Sequence, residues 1–142
     1  MLENINIEKV LFLDIETVAQ AKNYDELPEG MKLHWEKKSD RIEKEGESAY
    51  DTYNRAGIYS EFGKIVCISV GFIKIENGNK NLRLKSFFND DESILLSEFF
   101  ELLNQHFNSP QNLLCAHNGK EFDFPYIGRR ALVNGINIPS IL

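Results

Sequence analysis

The chain has little that would fix it covalently or in a membrane. Cysteine occurs twice in 142 residues, as Cys67 and Cys115. Both lie in apolar runs, so buried free thiols are expected, and their spacing is not that of a zinc site. No apolar run approaches the ~20 residues needed to span a bilayer. Glu3 and Glu8 break up the opening residues, which speaks against a secretory leader. A cytoplasmic protein with no membrane partner is the expectation. Basic residues are also in short supply, with 16 Lys and Arg against 22 Asp and Glu and a net charge of −6. That balance excludes a general basic nucleic-acid-binding surface. It does not exclude a nucleic-acid enzyme, because cations bound by carboxylates neutralise them locally. Internal repeats and low-complexity tracts are absent.

What is there begins with Val10-Leu11-Phe12-Leu13-Asp14-Ile15-Glu16-Thr17. Four apolar residues run into two carboxylates spaced i, i+2. A short apolar run of this kind reads as a buried strand. Side chains alternate along a strand, so Asp14 and Glu16 point to one face. Two like charges at the end of a buried strand repel and are costly to desolvate. A divalent cation removes that cost, and oxygen ligands suit Mg²⁺ or Mn²⁺. The plainer alternative is a strand running out into a polar loop. No Gly-rich phosphate loop follows, which disfavours a nucleotide-binding α/β domain.

Residues 18–56 change texture, being rich in Lys, Glu and Asp and poor in aliphatics. Pro28-Glu29-Gly30 marks a turn. Residues 31–45 predict a charged surface helix carrying Leu33, Trp35 and Ile42, within a solvated insertion. Lys32, Lys37, Lys38 and Arg41 would flank a nucleic-acid groove only weakly, since acids are interspersed among them. The run 65–73 is apolar on both faces and predicts an inner strand. Asn77-Gly78 signals a hairpin. The alternating run 82–87 predicts a strand with one exposed face. Asn89-Asp90-Asp91-Glu92 then caps a helix whose apolar positions run from Leu95 to Phe107. Leu113-Leu114-Cys115-Ala116 predicts another buried strand. A second helix follows, carrying Tyr126, Ile127, Leu132 and Val133 and ending near Asn134-Gly135. The order implies a mixed sheet with helices packed on it, within one domain.

Asp123 falls at or near the start of that last helix, where a carboxylate is electrostatically favoured. Pro125 is tolerated in a first helical turn. Alone, Asp123 reads as a cap, and Asn118 and Gly119 as turn residues. His117 reads as a structural histidine or as a contact to substrate or metal. Arg129 and Arg130 read as a solvent-facing pair or as phosphate contacts. Phe122 and Phe124 read as core rings or as platforms for a terminal base.

In combination these residues are more specific. Asp14-x-Glu16 on a strand, followed by Asn118-x-x-x-Phe122-Asp123, resembles the first two motifs of the DEDD 3′–5′ exonucleases. The contexts Leu11-Phe12-Leu13-Asp14-Ile15-Glu16-Thr17 and His117-Asn118-Gly119-Lys120-Glu121-Phe122-Asp123-Phe124-Pro125 are similar to the proofreading domain of family-B DNA polymerases. They are similar in turn to a bacterial group of stand-alone, predicted polymerase-B-like exonucleases. The resemblance spans residues 10 to about 130 and matches the charged insertion poorly.

The resemblance implies a ribonuclease H-like α/β fold, a five-stranded mixed sheet made of an antiparallel meander plus parallel strands. It implies two Mg²⁺ or Mn²⁺ ions held by Asp14, Glu16 and Asp123 as catalytic and metal-binding residues, with Asp14 bridging both. Substrate contacts would fall on Thr17, Asn118 and Phe122, and the substrate would be the 3′ end of single-stranded nucleic acid, DNA before RNA. Replication or repair proteins would be the partners, and the sequence does not identify them. The family's third motif, Tyr-x-x-x-Asp or His-x-x-x-x-Asp, has no match, since residues 124–142 contain no Asp or Glu. The expectation is therefore a chain truncated at its C-terminus and inactive as it stands. The alternative is a non-catalytic nucleic-acid-binding module of the same fold.

Overall fold

The computed structural model describes residues 5–142. Its contacts divide the chain into two compact units, residues 1–16 with 65–142, and residues 17–64.

The first unit is built on a four-stranded sheet. β1 is Val10–Ala19, β2 Gly63–Glu76, β3 Asn79–Phe88 and β4 Leu113–Cys115. Their order across the sheet is β3-β2-β1-β4. Asn77 and Gly78 both take left-handed backbone, at φ 53° and 78°. Two such residues make the turn whose twist matches an antiparallel hairpin. β2 and β3 accordingly pair antiparallel from Cys67 opposite Phe88 to Glu76 opposite Asn79. β1 and β2 also run in opposite senses. The Ile75 N–H donates to the Glu8 carboxylate at 2.9 Å, just before β1 begins. At the other end, the Gln20 N–H donates to the Phe62 carbonyl at 2.8 Å. β4 pairs parallel to β1, with Val10, Leu11 and Phe12 opposite Leu113, Leu114 and Cys115. The result is the expected meander plus one parallel pair, but with four strands among the described residues where five were expected.

Two helices cover one face of this sheet. α3 is Glu92–His106 and α4 is Asp123–Val133, after α1 and α2 of the second unit. Asp91 caps α3, its carboxylate accepting from the Ser93 N–H at 2.8 Å. Apolar residues at helical spacing then bury Leu95, Leu96, Phe99, Phe100 and Leu103. They pack with Leu11, Leu13, Ile15, Ile68, Val70, Phe87, Tyr126 and Ile127 in one core.

Three expectations about burial are corrected here. β4 is not buried. It has one neighbour in the described sheet, and Leu113 and Cys115 are exposed. The thiols follow the same logic, with Cys115 exposed and Cys67 half-buried. β3 exposes both faces, with Phe87 its one buried side chain and Leu84 76% exposed.

The second unit is more than a solvated insertion. α1 is Glu29–Ile42 and α2 is Ala49–Thr52. Ser48 and Asp51 form a reciprocal capping box at the start of α2. Trp35 is fully buried against the rings of Phe62 and Tyr53, with centroids at 5.0 and 5.3 Å. Its indole N–H donates to the Ala49 carbonyl at 2.8 Å. Leu27 and Ala56 complete this separate core. The weak apolar face of α1 misled because one Trp supplies most of what it buries.

Candidate active site

The site is positioned by the end of β1 and the start of α4. Along β1, Leu13 and Ile15 are buried while Asp14 and Glu16 are exposed. The alternation puts both carboxylates on the face opposite the core. Thr17 follows, half-buried, and is the first residue of the second unit.

From β4 the chain makes a tight turn before α4. Asn118 adopts φ 54°, and its carbonyl accepts from the N–H groups of Glu121 and Phe122, both at 3.0 Å. Gly119 is required by space. A Cβ there would lie 2.6 Å from the Ala116 Cβ and 2.8 Å from the Phe124 ring. This close approach sets the path by which α4 starts. Asn118 and His117 are exposed. Phe122 and Phe124 are half-buried and pack against the core, and the Phe122 ring lies 5.4 Å from that of Tyr126.

Asp123 is the first residue of α4 rather than its cap; that position belongs to Phe122, which makes no side-chain cap bond. Asp123 is 2% exposed. Burial raises its carboxyl above the ordinary Asp value, and the nearby charge of Asp14 raises it further. Its own backbone N–H, the N–H of Ile15 and the His117 imidazole pull the other way. Asp123 is thus brought to β1, bonded beside Asp14 and within reach of its charge. Glu16 lies two residues along the same face.

Donor chemistry and charge suit a hard divalent cation, since the set is all carboxylate and one member is desolvated beside a like charge. The count is smaller than the sequence suggested. Among the described residues no group of three or more His, Cys, Asp or Glu side chains is gathered closely enough to hold a metal ion. The structure brings Asp14 and Asp123 together, and Glu16 shares the strand face without closing a three-donor cluster.

One pairing had no signal in the sequence. Arg130 is buried, not solvent-facing. Its Nε donates to both oxygens of Glu92, at 3.0 and 3.1 Å. The Glu92 carboxylate also accepts from the Ile65 N–H at 2.7 Å and from the Asn134 amide at 2.9 Å. One carboxylate therefore ties β2, α3 and α4, the helix that carries Asp123. Arg129 is exposed, as read.

The mixed sheet with one parallel strand pair, flanked by helices, is an α/β arrangement consistent with a ribonuclease H-like exonuclease fold. Residues 58–142 match the family described as predicted 3′–5′ exonucleases related to the exonuclease domain of PolB. The match covers more than half of the chain, and the protein belongs to that family of predicted nucleases. The matched stretch contains Asn118, Phe122 and Asp123 and begins after Asp14 and Glu16. A comparison with curated proteins finds no match. No helix among the described residues is long and apolar enough to cross a membrane.

Proposed function

We propose that the protein is a metal-dependent nuclease that removes nucleotides from the 3′ end of single-stranded DNA. The observation that carries this reading is the buried Asp123 carboxyl set beside Asp14. A desolvated acid next to a like charge is unfavourable in the folded protein without a cation, and perturbed carboxyls of this kind concentrate at functional sites. Asp14 and Asp123 would hold Mg²⁺ or Mn²⁺, with Glu16 as the third ligand. Bound divalent ions supply the positive charge that in-line displacement at phosphorus requires. The chain's own part is to fix those carboxylates through the Ile15 N–H and the Gly119 turn. Asn118 and Phe122, in the turn that leads into Asp123, would contact the terminal nucleotide. A second reading, a non-catalytic module that binds single strands, is supported by the absence of a three-donor cluster among the described residues.

The test has two readouts. Mn²⁺ should raise the melting temperature of the parent and not of Asp14→Ala or Asp123→Ala. A chain that also carries the family's third motif should shorten a 5′-labelled single strand stepwise from its 3′ end in Mn²⁺, and its Asp14→Ala and Asp123→Ala variants should not. An equal Mn²⁺ shift in parent and Asp14→Ala removes the metal site. A Mn²⁺ shift confined to the parent, with the oligonucleotide bound but left intact by the chain carrying the third motif, selects the non-catalytic reading.

A further inference from the structure

A second concavity lies away from the acid site. It encloses about 450 Å³ between the start of β1, the sheet and the last turn of α3. Small-molecule sites occupy roughly 300–1,000 Å³ and are lined mainly by apolar groups with a few placed polar ones. The apolar wall here is Phe72, Leu102 and Phe107. The Phe72 and Phe107 rings meet edge-on at 6.3 Å. Both rest against the main core, so the wall is held in place.

The polar rim carries two firm cations, Lys9 and Arg83, against one lining carboxylate. Lys9, Arg83 and His106 line it, with Glu8 as its single acid. Glu8 is already engaged, accepting from the Ile75 N–H. Arg83 donates to Glu76 at 3.1 Å through one terminal nitrogen, Nη2. A guanidinium has five N–H donors, so capacity is left for a further acceptor.

We propose that this cavity binds a small organic carboxylate with an aromatic or branched apolar body. The rings take the body, and Lys9 and Arg83 take the carboxylate. Charge-assisted hydrogen bonds are about twice as strong as neutral ones, so the anion should be distinguished from a neutral isostere. None of the residues involved belongs to the acid site, and this proposal does not rest on the nuclease reading.

Titration calorimetry of the full chain with 1-naphthoate, 1-naphthamide and acetate tests it. Expected are saturable binding of one 1-naphthoate, about tenfold weaker binding of 1-naphthamide, and none of acetate. Arg83→Gln and Lys9→Gln lie at the rim, outside the core. Each should weaken 1-naphthoate about three- to fivefold, in keeping with the loss of one partly solvated charge contact. Lys37→Gln, on α1, should bind as the parent does. Equal affinity for acid and amide, no saturation, or parent-like binding by both rim variants overturns the proposal.

Discussion

Replacing Arg130 by Met tests how α4 is held. Arg130 and Glu92 expose 6% and 7% of their side chains. Water therefore screens neither charge, and the small values typical of surface pairs do not apply. Removing one partner of a buried pair costs about 3–5 kcal/mol, because the other charge is left uncompensated. In Arg130→Met the Glu92 carboxylate keeps the Ile65 N–H and the Asn134 amide. The loss should fall near the lower end, about 3 kcal/mol. In Glu92→Met the guanidinium, the Ile65 N–H and the Asn134 amide all lose an acceptor, and the loss should approach about 5 kcal/mol. A chain of 142 residues has roughly 7–21 kcal/mol of stability in hand. Both variants should therefore fold and melt about 6–20 °C below the parent. The double variant Glu92→Met/Arg130→Met carries no buried charge at this position. Its loss should be well below the sum of the two singles. Denaturant titration of all four proteins measures the coupling. Additive losses, or an Arg130→Met loss under about 1 kcal/mol, would refute the assignment of this pair as the clamp on α4.

Gly119→Ala should lower stability by about 1–3 kcal/mol, the usual range for overpacking. The added methyl meets Ala116 and Phe124, so Ala116→Gly in the same chain should restore part of the loss in thermal melts. Asp91 gives a pH prediction. The Ser93 hydroxyl, and then the Ser93 N–H, hold its carboxyl below the ordinary value. Its contribution is complete above the unfolded value near about pH 4 and is lost as pH falls through the lower folded value. Asp91→Asn keeps the cap, so melts of the two proteins should converge in acid and the variant should show the flatter pH profile. Asp123 has the opposite sign. Its folded value is raised, so the metal-free protein loses stability as pH rises from the unfolded value towards the folded one. Asp123→Asn should therefore be more stable than the parent at neutral pH in chelator, equal to it in acid, and unresponsive to Mn²⁺. A metal-free variant that melts below the parent at neutral pH contradicts this sign.

The sheet was legible because its signals are local. The switch from apolar run to alternating acids in 10–16 fixes the inward and outward faces of β1. Asn77-Gly78 fixes the hairpin because that turn needs two left-handed residues. The helix of 92–106 announces itself by periodicity and by Asp91. Burial was less legible wherever it depends on how many neighbours a strand has. β4 reads as a core strand, but in the described sheet it stands at an edge. Trp35 finds its partners in Tyr53 and Phe62, residues that no periodicity links to α1. Glu92 and Arg130 are 38 residues apart on different helices. Neither residue type announces a buried pair, and Arg beside Arg suggested a solvated face. For the acids, strand alternation foretold the shared face of Asp14 and Glu16. That Asp123 is buried beside Asp14 depends on the Gly119 turn, whose need for glycine appears only once the Phe124 ring is in place.

The two ends of α4 carry opposite electrostatic arrangements. At its C-terminal half, Arg130 and Asn134 satisfy a buried carboxylate completely enough that Glu92 can bridge three elements. At its first residue, Asp123 is more deeply buried than Glu92 but lies beside another acid instead of a guanidinium. A helix is stiff along its axis, so fixing the far end limits how far Asp123 can withdraw from Asp14 to relieve their repulsion. If that is the role of the clamp, weakening it should lessen the strain at the acid pair. Arg130→Met should then gain less than the parent from Asp123→Asn in chelator, although the two substitutions lie at opposite ends of the helix. Equal gains would mean that the ion pair supports the fold alone and leaves the carboxylates where the Gly119 turn puts them.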